Sequence, residues 1–330
     1  TAFGLDQGYD EFHAVWQSPD YTGHGDSVLR SFLSWLDAHH SERFFAYVHF
    51  REPHFPYNPP PPYDTRFGPA TVFPDGIKDW QEVESINRAA AGGDEIPADV
   101  LERVRGLYDG NMAYVDALVG EALKRVEALG LDRNTAVILF ADHGEAFFEH
   151  RYIGHNTQLY EESIRVPLMV SLPGLAPRRV SDVVELTDLA PTVLELAGLS
   201  DRAERKAMQG RSLVPLLYGE DLPEKLAFSR TLWNQPRYAA RASRFKFIWD
   251  SRNGSSELYD LEKDPGETVN RIDENPVIGG YLRQRLYQWV REQEHLRVGA
   301  PVREEALIPE DVRRHLESIG YVEYLGETKK

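Results

Sequence analysis

Thr135-Ala-Val-Ile-Leu-Phe-Ala-Asp-His-Gly144 is the stretch on which the fold turns. Its apolar run, Ala136 to Ala141, leads straight into two ligand-type side chains, Asp142 and His143, and then a glycine. A short continuous apolar run bounded by polar residues reads as a strand buried on both faces, the kind found in sheets covered by helices. Upstream, Leu101, Val104, Leu107, Tyr108, Met112, Val115, Leu118, Val119, Leu123 and Val126 recur at helical spacing from Ala98 to Leu129, and Gly130 stops them. That spacing predicts one long helix or a kinked pair. Downstream, Pro167 to Leu172 reads as another strand, and Asp188 to Ala197, ended by Gly198, as another helix. Helix and buried strand in alternation predict an α/β fold with a largely parallel sheet flanked by helices.

Towards the start of the chain, Asp26 to His39 carries Val28, Leu29, Phe32, Leu33 and Leu36 on one helical face, and Phe44 to Phe50 (FFAYVHF) reads as a strand. The prolines of Arg51-Glu-Pro-His-Phe-Pro-Tyr57 and Pro59 to Pro62 forbid both helix and ladder there, so a long stiff loop follows. Residues 67–97 show no sustained period and read as a surface excursion with at most short helical turns. After about Pro223 the texture changes. Runs at Leu226–Leu232, Tyr238–Ala242, Phe245–Trp249 and Glu257–Leu261, with Asn253-Gly254 between the last two, predict an antiparallel meander. A helix from Val277 to Glu294 packs on it, and Pro309 to Gly320 carries the signals of a final one. The expected organisation is therefore an α/β domain over 1–222 and a C-terminal subdomain of antiparallel strands and helix over 223–330.

Composition narrows the function. Lys and Arg number 37 against 53 Asp and Glu, a net charge of −16. Such a field repels polyanions at long range and argues against a nucleic-acid or acidic-membrane partner. There is no cysteine, hence no disulfide, no thiolate metal site and no thiol nucleophile in these residues. No apolar stretch approaches the roughly 20 residues of a spanning helix. The chain opens at Thr1 inside an already patterned segment and is read as a possible fragment, which leaves compartment open.

Two polar motifs follow two predicted strands: His54 after FFAYVHF, and Asp142-His143 after TAVILFA. Ligands of open α/β sheets bind at the carboxyl ends of strands. Asp142 and His143 offer one carboxylate oxygen and one imidazole nitrogen, half of a divalent-cation site, or else a capped turn. His54 lies between Pro53 and Pro56, in a rigid loop that can aim its ring. His155, in Gly154-His-Asn156, sits in a flexible turn near Glu149 and His150. Asp109 and Asp116 read as solvated helix surface, Tyr57, Tyr114 and Tyr160 as packing aromatics, and Arg202–Lys206 and Lys329–Lys330 as solvated basic surface.

With these residues in view the chain closely resembles the sulfatase family of the alkaline phosphatase superfamily. The resemblance is carried in order by Gly8–Phe12, Phe44–Tyr57, Tyr108–Asp116 (YDGNMAYVD), Ala141–His155 (ADHGEAFFEH…GH), Leu159–Val170 (LYEESIRVPLMV), Val184–Leu199, Gly210–Leu217 and Glu257–Asn270 (ELYDLEKDPGETVN). These segments are spread in order along most of the chain, from Gly8 to Asn270.

The resemblance implies an alkaline-phosphatase-like fold and metal-dependent hydrolysis of a small-molecule or sugar sulfate ester. It makes Asp142 and His143 metal ligands, His54 a histidine on the sulfate group and the leaving oxygen, and His155 the counterpart of a sulfate-binding lysine. The implied cation is calcium, with manganese or zinc as alternatives. Members also carry an upstream aspartate pair and a Cys/Ser-x-Pro-x-Arg motif that yields formylglycine, and no such motif occurs here. The expectation is a C-terminal part of a sulfatase-like protein, inactive alone. A phosphodiesterase or phosphonate monoester hydrolase, or a non-catalytic module binding anionic glycans, are the alternatives. Substrate identity and oligomeric state stay open.

Overall fold

A computed structural model describes residues 6–68, 72–155, 157–201, 208–231 and 236–298, with the side chains of 296–298 excepted. In chain order the elements are α1 (Asp26–His39), α2 (Trp80–Ala91), α3 (Ala98–Ala128), β1 (Val137–Phe140), β2 (Ala146–Phe147), β3 (Ile153–Gly154), α4 (Glu161–Ile164), β4 (Leu168–Ser171), α5 (Leu189–Leu196), α6 (Val214–Leu217), β5 (Ala227–Arg230), β6 (Arg237–Arg241), β7 (Phe245–Asp250), β8 (Ser256–Asp260) and α7 (Pro276–Val298). The chain is α/β, as expected. It divides into two compact units, one comprising the chain up to Ala136 with Glu145–Gly154, the other Val137–Gly144 with the described residues from His155 onward.

The first unit is helical. Leu29 of α1 meets Tyr114 and Leu118 of α3, and Leu36 meets Val126 and Leu131, so the apolar stripes read from the sequence face each other. The central core gathers Phe55, Tyr57, Ile77, Val83, Ile86, Val104, Leu107, Phe147 and Ile153. Its aromatic members meet edge-on, Phe55 lying 5.7 Å from Tyr57 and 5.5 Å from Trp80 between ring centroids. The small β2–β3 hairpin is pinned to α2 by Asn87, whose amide accepts the Ile153 N–H and donates to its carbonyl, both at 2.8 Å.

In the second unit β5–β8 form the antiparallel meander, each strand bonded to the next. Alternation sorts its two faces. Ala240, Phe247 and Leu258 pack on Leu282 and Leu286 of α7, whereas Ala239, Ile248 and Tyr259 pack on Leu159, Tyr160 and Ile164. The expected meander and its helix are present within a residue or two of their predicted bounds, apart from the α7 end, which extends to Val298.

Three expectations are corrected. The two apolar strands β1 and β4 pair antiparallel, Val137 opposite Ser171 and Phe140 opposite Leu168, where helix–strand alternation predicted parallel neighbours. Phe44–Phe50 is not a strand. Phe44 and Phe50 pack on the helices and Phe45 and Tyr47 are exposed, but no strand hydrogen-bonds to the segment among the described residues. Residues 67–97 hold a full helix, α2, whose start is a capping box between Asp79 and Glu82 and whose buried face is Val83, Ile86, Asn87 and Ala90. α3 is one helix, Ala98–Ala128. The predicted helix Pro309–Gly320 and the basic clusters Arg202–Lys206 and Lys329–Lys330 lie outside the described residues.

Candidate active site

In the second unit, β1 delivers Asp142 and His143 at its carboxyl end. Asp142 is 69% exposed at its side chain, and its Oδ1 accepts the N–H of His143 at 3.0 Å. The His143 ring bonds through Nδ1 to the Gly144 carbonyl at 2.8 Å. A carbonyl only accepts, so Nδ1 carries the proton and Nε2 is the acceptor nitrogen of the neutral ring, the form in which imidazole ligates a metal. His155, 6% exposed, stacks on it with centroids 3.9 Å apart and planes 25° from parallel. The structure thus brings His143 and His155 together, and the ligand nitrogens of these two rings lie within 4.8 Å of each other; Asp142 adjoins His143 in sequence.

In the first unit, His54 is fixed by its neighbours. Glu52 is buried before it and Phe55 and Tyr57 are fully buried after it, so the chain is tied down on both sides of the ring. Its backbone N–H closes a turn onto Arg51 at 2.9 Å, and its Nδ1 bonds to the Phe55 carbonyl at 2.7 Å. His54 therefore uses the same device as His143: the next residue's carbonyl holds the Nδ1 proton and sets the tautomer. Glu52 accepts the Gly25 N–H at 2.9 Å. Burial raises its carboxyl, but His24, the backbone N–H groups and Arg51 outweigh that and hold it below the usual range.

The other candidates take structural roles. Tyr57, Tyr114 and Tyr160 belong to hydrophobic clusters. Burial pushes the Tyr57 hydroxyl well up, and the Glu145 carboxylate pushes it further, so Tyr57 stays a neutral phenol. Glu149 turns back on its own hairpin, accepting the Phe147 N–H at 2.6 Å. Sequence reasoning passed over Asn87 and a buried cluster of Lys246, Glu161 and Glu267. An Asp-x-x-Glu start ahead of Val83 and Ile86 was the available signal for the first. Nothing local announces the second.

Two known protein families match the sequence. A family described as Sulfatase matches residues 1–199, and one described as N-sulphoglucosamine sulphohydrolase, C-terminal, matches residues 145–292. The chain belongs to the sulfatase family. It is 34% identical over 200 residues to arylsulfatase K of Mus musculus, an alignment covering 56% of this chain and 35% of that protein. It thus spans about a third of the length of arylsulfatase K from Mus musculus, Bos taurus and Canis lupus familiaris.

Among solved structures, BT4656 in complex with its substrate D-glucosamine-2-N,6-O-disulfate superposes with a TM-score of 0.65 at 20% identity, over 86% of this chain and 72% of that one. The phosphonate monoester hydrolase SpPMH from Silicibacter pomeroyi gives the same TM-score at 23% identity, over 87% and 66%. Both likenesses establish the fold. Among the described residues no helix is long and apolar enough to cross a membrane.

Proposed function

We propose that the complete protein hydrolyses sulfate esters with the help of a divalent cation, and that these residues supply part of its site. The observation that carries the reading is the stacked His143–His155 pair at the end of β1, with the proton of His143 fixed on Nδ1. Asp142 and Nε2 of His143 fit a cation as members of a set that needs further donors. A cation bound there would supply Lewis-acid stabilisation of charge on the sulfuryl oxygens. The resemblance implies calcium, but calcium takes oxygen ligands and an imidazole nitrogen suits manganese or zinc better.

His54 presents Nε2 while Nδ1 donates to a carbonyl. That carbonyl stabilises the ring when Nε2 takes a second proton, so His54 can hold a proton for the departing alkoxide or phenoxide and release it. His155, almost fully buried, has the place and chemistry to hold a sulfuryl oxygen when protonated. The nucleophile is not among these residues, which contain neither cysteine nor Ser-x-Pro-x-Arg, so this chain alone turns over no sulfate ester. A sulfated sugar, as in the BT4656 complex, is the substrate class we favour. In this reading residues 1–222 belong to the α/β domain and 223–330 form its C-terminal subdomain.

The test is turnover of 4-nitrophenyl sulfate by the complete protein after chelation and readdition of Ca2+, Mn2+ or Zn2+, beside a phosphonate monoester and a phosphodiester. Sulfate-ester turnover that is lost on chelation and restored by one cation is the expected result. Faster turnover of the phosphorus esters would move the protein to the phosphonate monoester hydrolase reading, which the imidazole in the donor set also suits. Hydrolysis of the aryl sulfate by the 330 residues alone would refute the claim that the nucleophile lies outside them.

A further inference from the structure

Lys246 on β7 is fully buried. An ammonium is kept there only by paired charge. Its Nζ lies 2.6 Å from Glu267 Oε1 and 3.2 Å from Glu161 Oε1, joining the loop after β8 to the first residue of α4. Glu267 also accepts the backbone N–H of Glu161 at 2.6 Å through Oε2, and Arg241 approaches Glu161 Oε2 at 3.6 Å. Leu159, Tyr160 and Ile164 seat the same turn on the sheet face formed by Ala239, Ile248 and Tyr259.

What rests on α4 is the turn that carries His143. Gly144 donates its N–H to the Ser163 carbonyl at 2.8 Å. A Cβ on Gly144 would stand 2.1 Å from the Glu162 carbonyl oxygen, so the two backbones touch. His143 in turn takes its tautomer from the Gly144 carbonyl and stacks on His155. A continuous series of short contacts therefore runs from Lys246 and Glu267 through Glu161 and Ser163 to Gly144 and the imidazole. Apolar replacements of a buried ion cluster can match its stability, but they would not fix α4 by directed bonds.

We propose that Lys246 and Glu267 are positioning residues for the His143–His155 pair, acting through Glu161 to hold α4 and the Gly144 turn. The inference rests on reading that pair as part of the sulfatase site.

The test has two readouts on the full chain: amide hydrogen exchange at Gly144 by NMR, which needs no metal, and Mn2+ affinity by calorimetry. Lys246→Met is expected to speed Gly144 exchange at least tenfold while amides of β5 and β6 change less, and to weaken Mn2+ binding at least tenfold. Lys246→Arg restores both to within about threefold. Leu286→Ala, which loosens the opposite face of the same sheet, leaves Gly144 unchanged relative to those strands. If Lys246→Met does not fold, Glu161→Gln, which leaves a neutral Lys246–Glu267 pair, is expected to give the same Gly144 signature.

Unchanged Gly144 exchange overturns the proposal, as does an increase that Leu286→Ala reproduces, since that would be general loosening. Faster Gly144 exchange in a chain whose wild type binds no Mn2+ upholds the positioning role and sinks the metal reading instead.

Discussion

The loop around His54 and the turn around His143 both tie Nδ1 to the following residue's carbonyl, at 2.7 and 2.8 Å, yet they are fastened by different forces. His54 is held locally. Prolines stiffen its backbone, and its near neighbours Phe55 and Tyr57 are driven into an aromatic core with Trp80 and Phe147. His143 is held from a distance, by a backbone contact to α4 that is seated on an ion cluster more than eighty residues further along the chain. Each site also contains a glycine at a close approach. At Gly25 an added Cβ would meet the side-chain ends of Leu118 and Glu52, at 2.8 and 2.9 Å, whereas at Gly144 it would meet a backbone oxygen. Side-chain ends rotate aside; a backbone oxygen held by its own turn does not.

If packing holds the first site, Phe55→Ala is its severest test, with an expected loss of about 3–5 kcal/mol for emptying a fully buried aromatic position. Urea unfolding, with hydrogen exchange in α2 and α3 as the local probe, measures it. A loss below about 1 kcal/mol would mean that the loop and not the core fixes His54.

The glycines sharpen the contrast. Gly144→Ala should cost about 1–3 kcal/mol and displace the His143 ring, whereas Gly25→Ala should cost less than about 1 kcal/mol. Thermal melts of the two variants give the order, and a reversed order would break the distinction between backbone and side-chain approach.

The smallest effect is in acid. Asp250, bonded to Arg252 and Arg237, has its carboxyl held far below the usual range, chiefly by the Arg252 hydrogen bond against an opposing burial effect. A carboxylate depressed in the folded state contributes stability above its unfolded value near 4, and that stability is lost as pH falls below it. The meander should therefore loosen between about pH 4 and pH 2, and Asp250→Asn should flatten that decline. Hydrogen exchange across β6 and β7 checks it, and identical acid profiles for the two proteins would remove Asp250 as the cause.

The readings that held rest on neighbours in sequence. The faces of α1 and α3, the four-strand meander and its Asn253-Gly254 turn follow from side-chain period and turn chemistry, which act over a few residues. α2 was legible in principle, through Asp79, Glu82 and the spacing of Val83 and Ile86, but the glycines and charges around it masked the period. Strand pairing was not legible. An apolar run such as Val137–Phe140 reports burial, and burial is the same whether its neighbour runs parallel or antiparallel. Phe44–Phe50 shows the same limit, since its aromatic richness favours a strand and says nothing about a hydrogen-bonding partner.

For the candidate site the division is similar. The sequence by itself put forward His54, Asp142, His143 and His155 as candidates and indicated the family to which the chain belongs, because residue type and local order carry that information. Only the tertiary structure decided that His143 and His155 stack, that Nδ1 of His54 and of His143 each meets the following residue's carbonyl, and that a buried lysine on β7 pairs with the first residue of α4. Those facts depend on distances between segments far apart in the chain, and such distances are set by packing rather than by any run of residues.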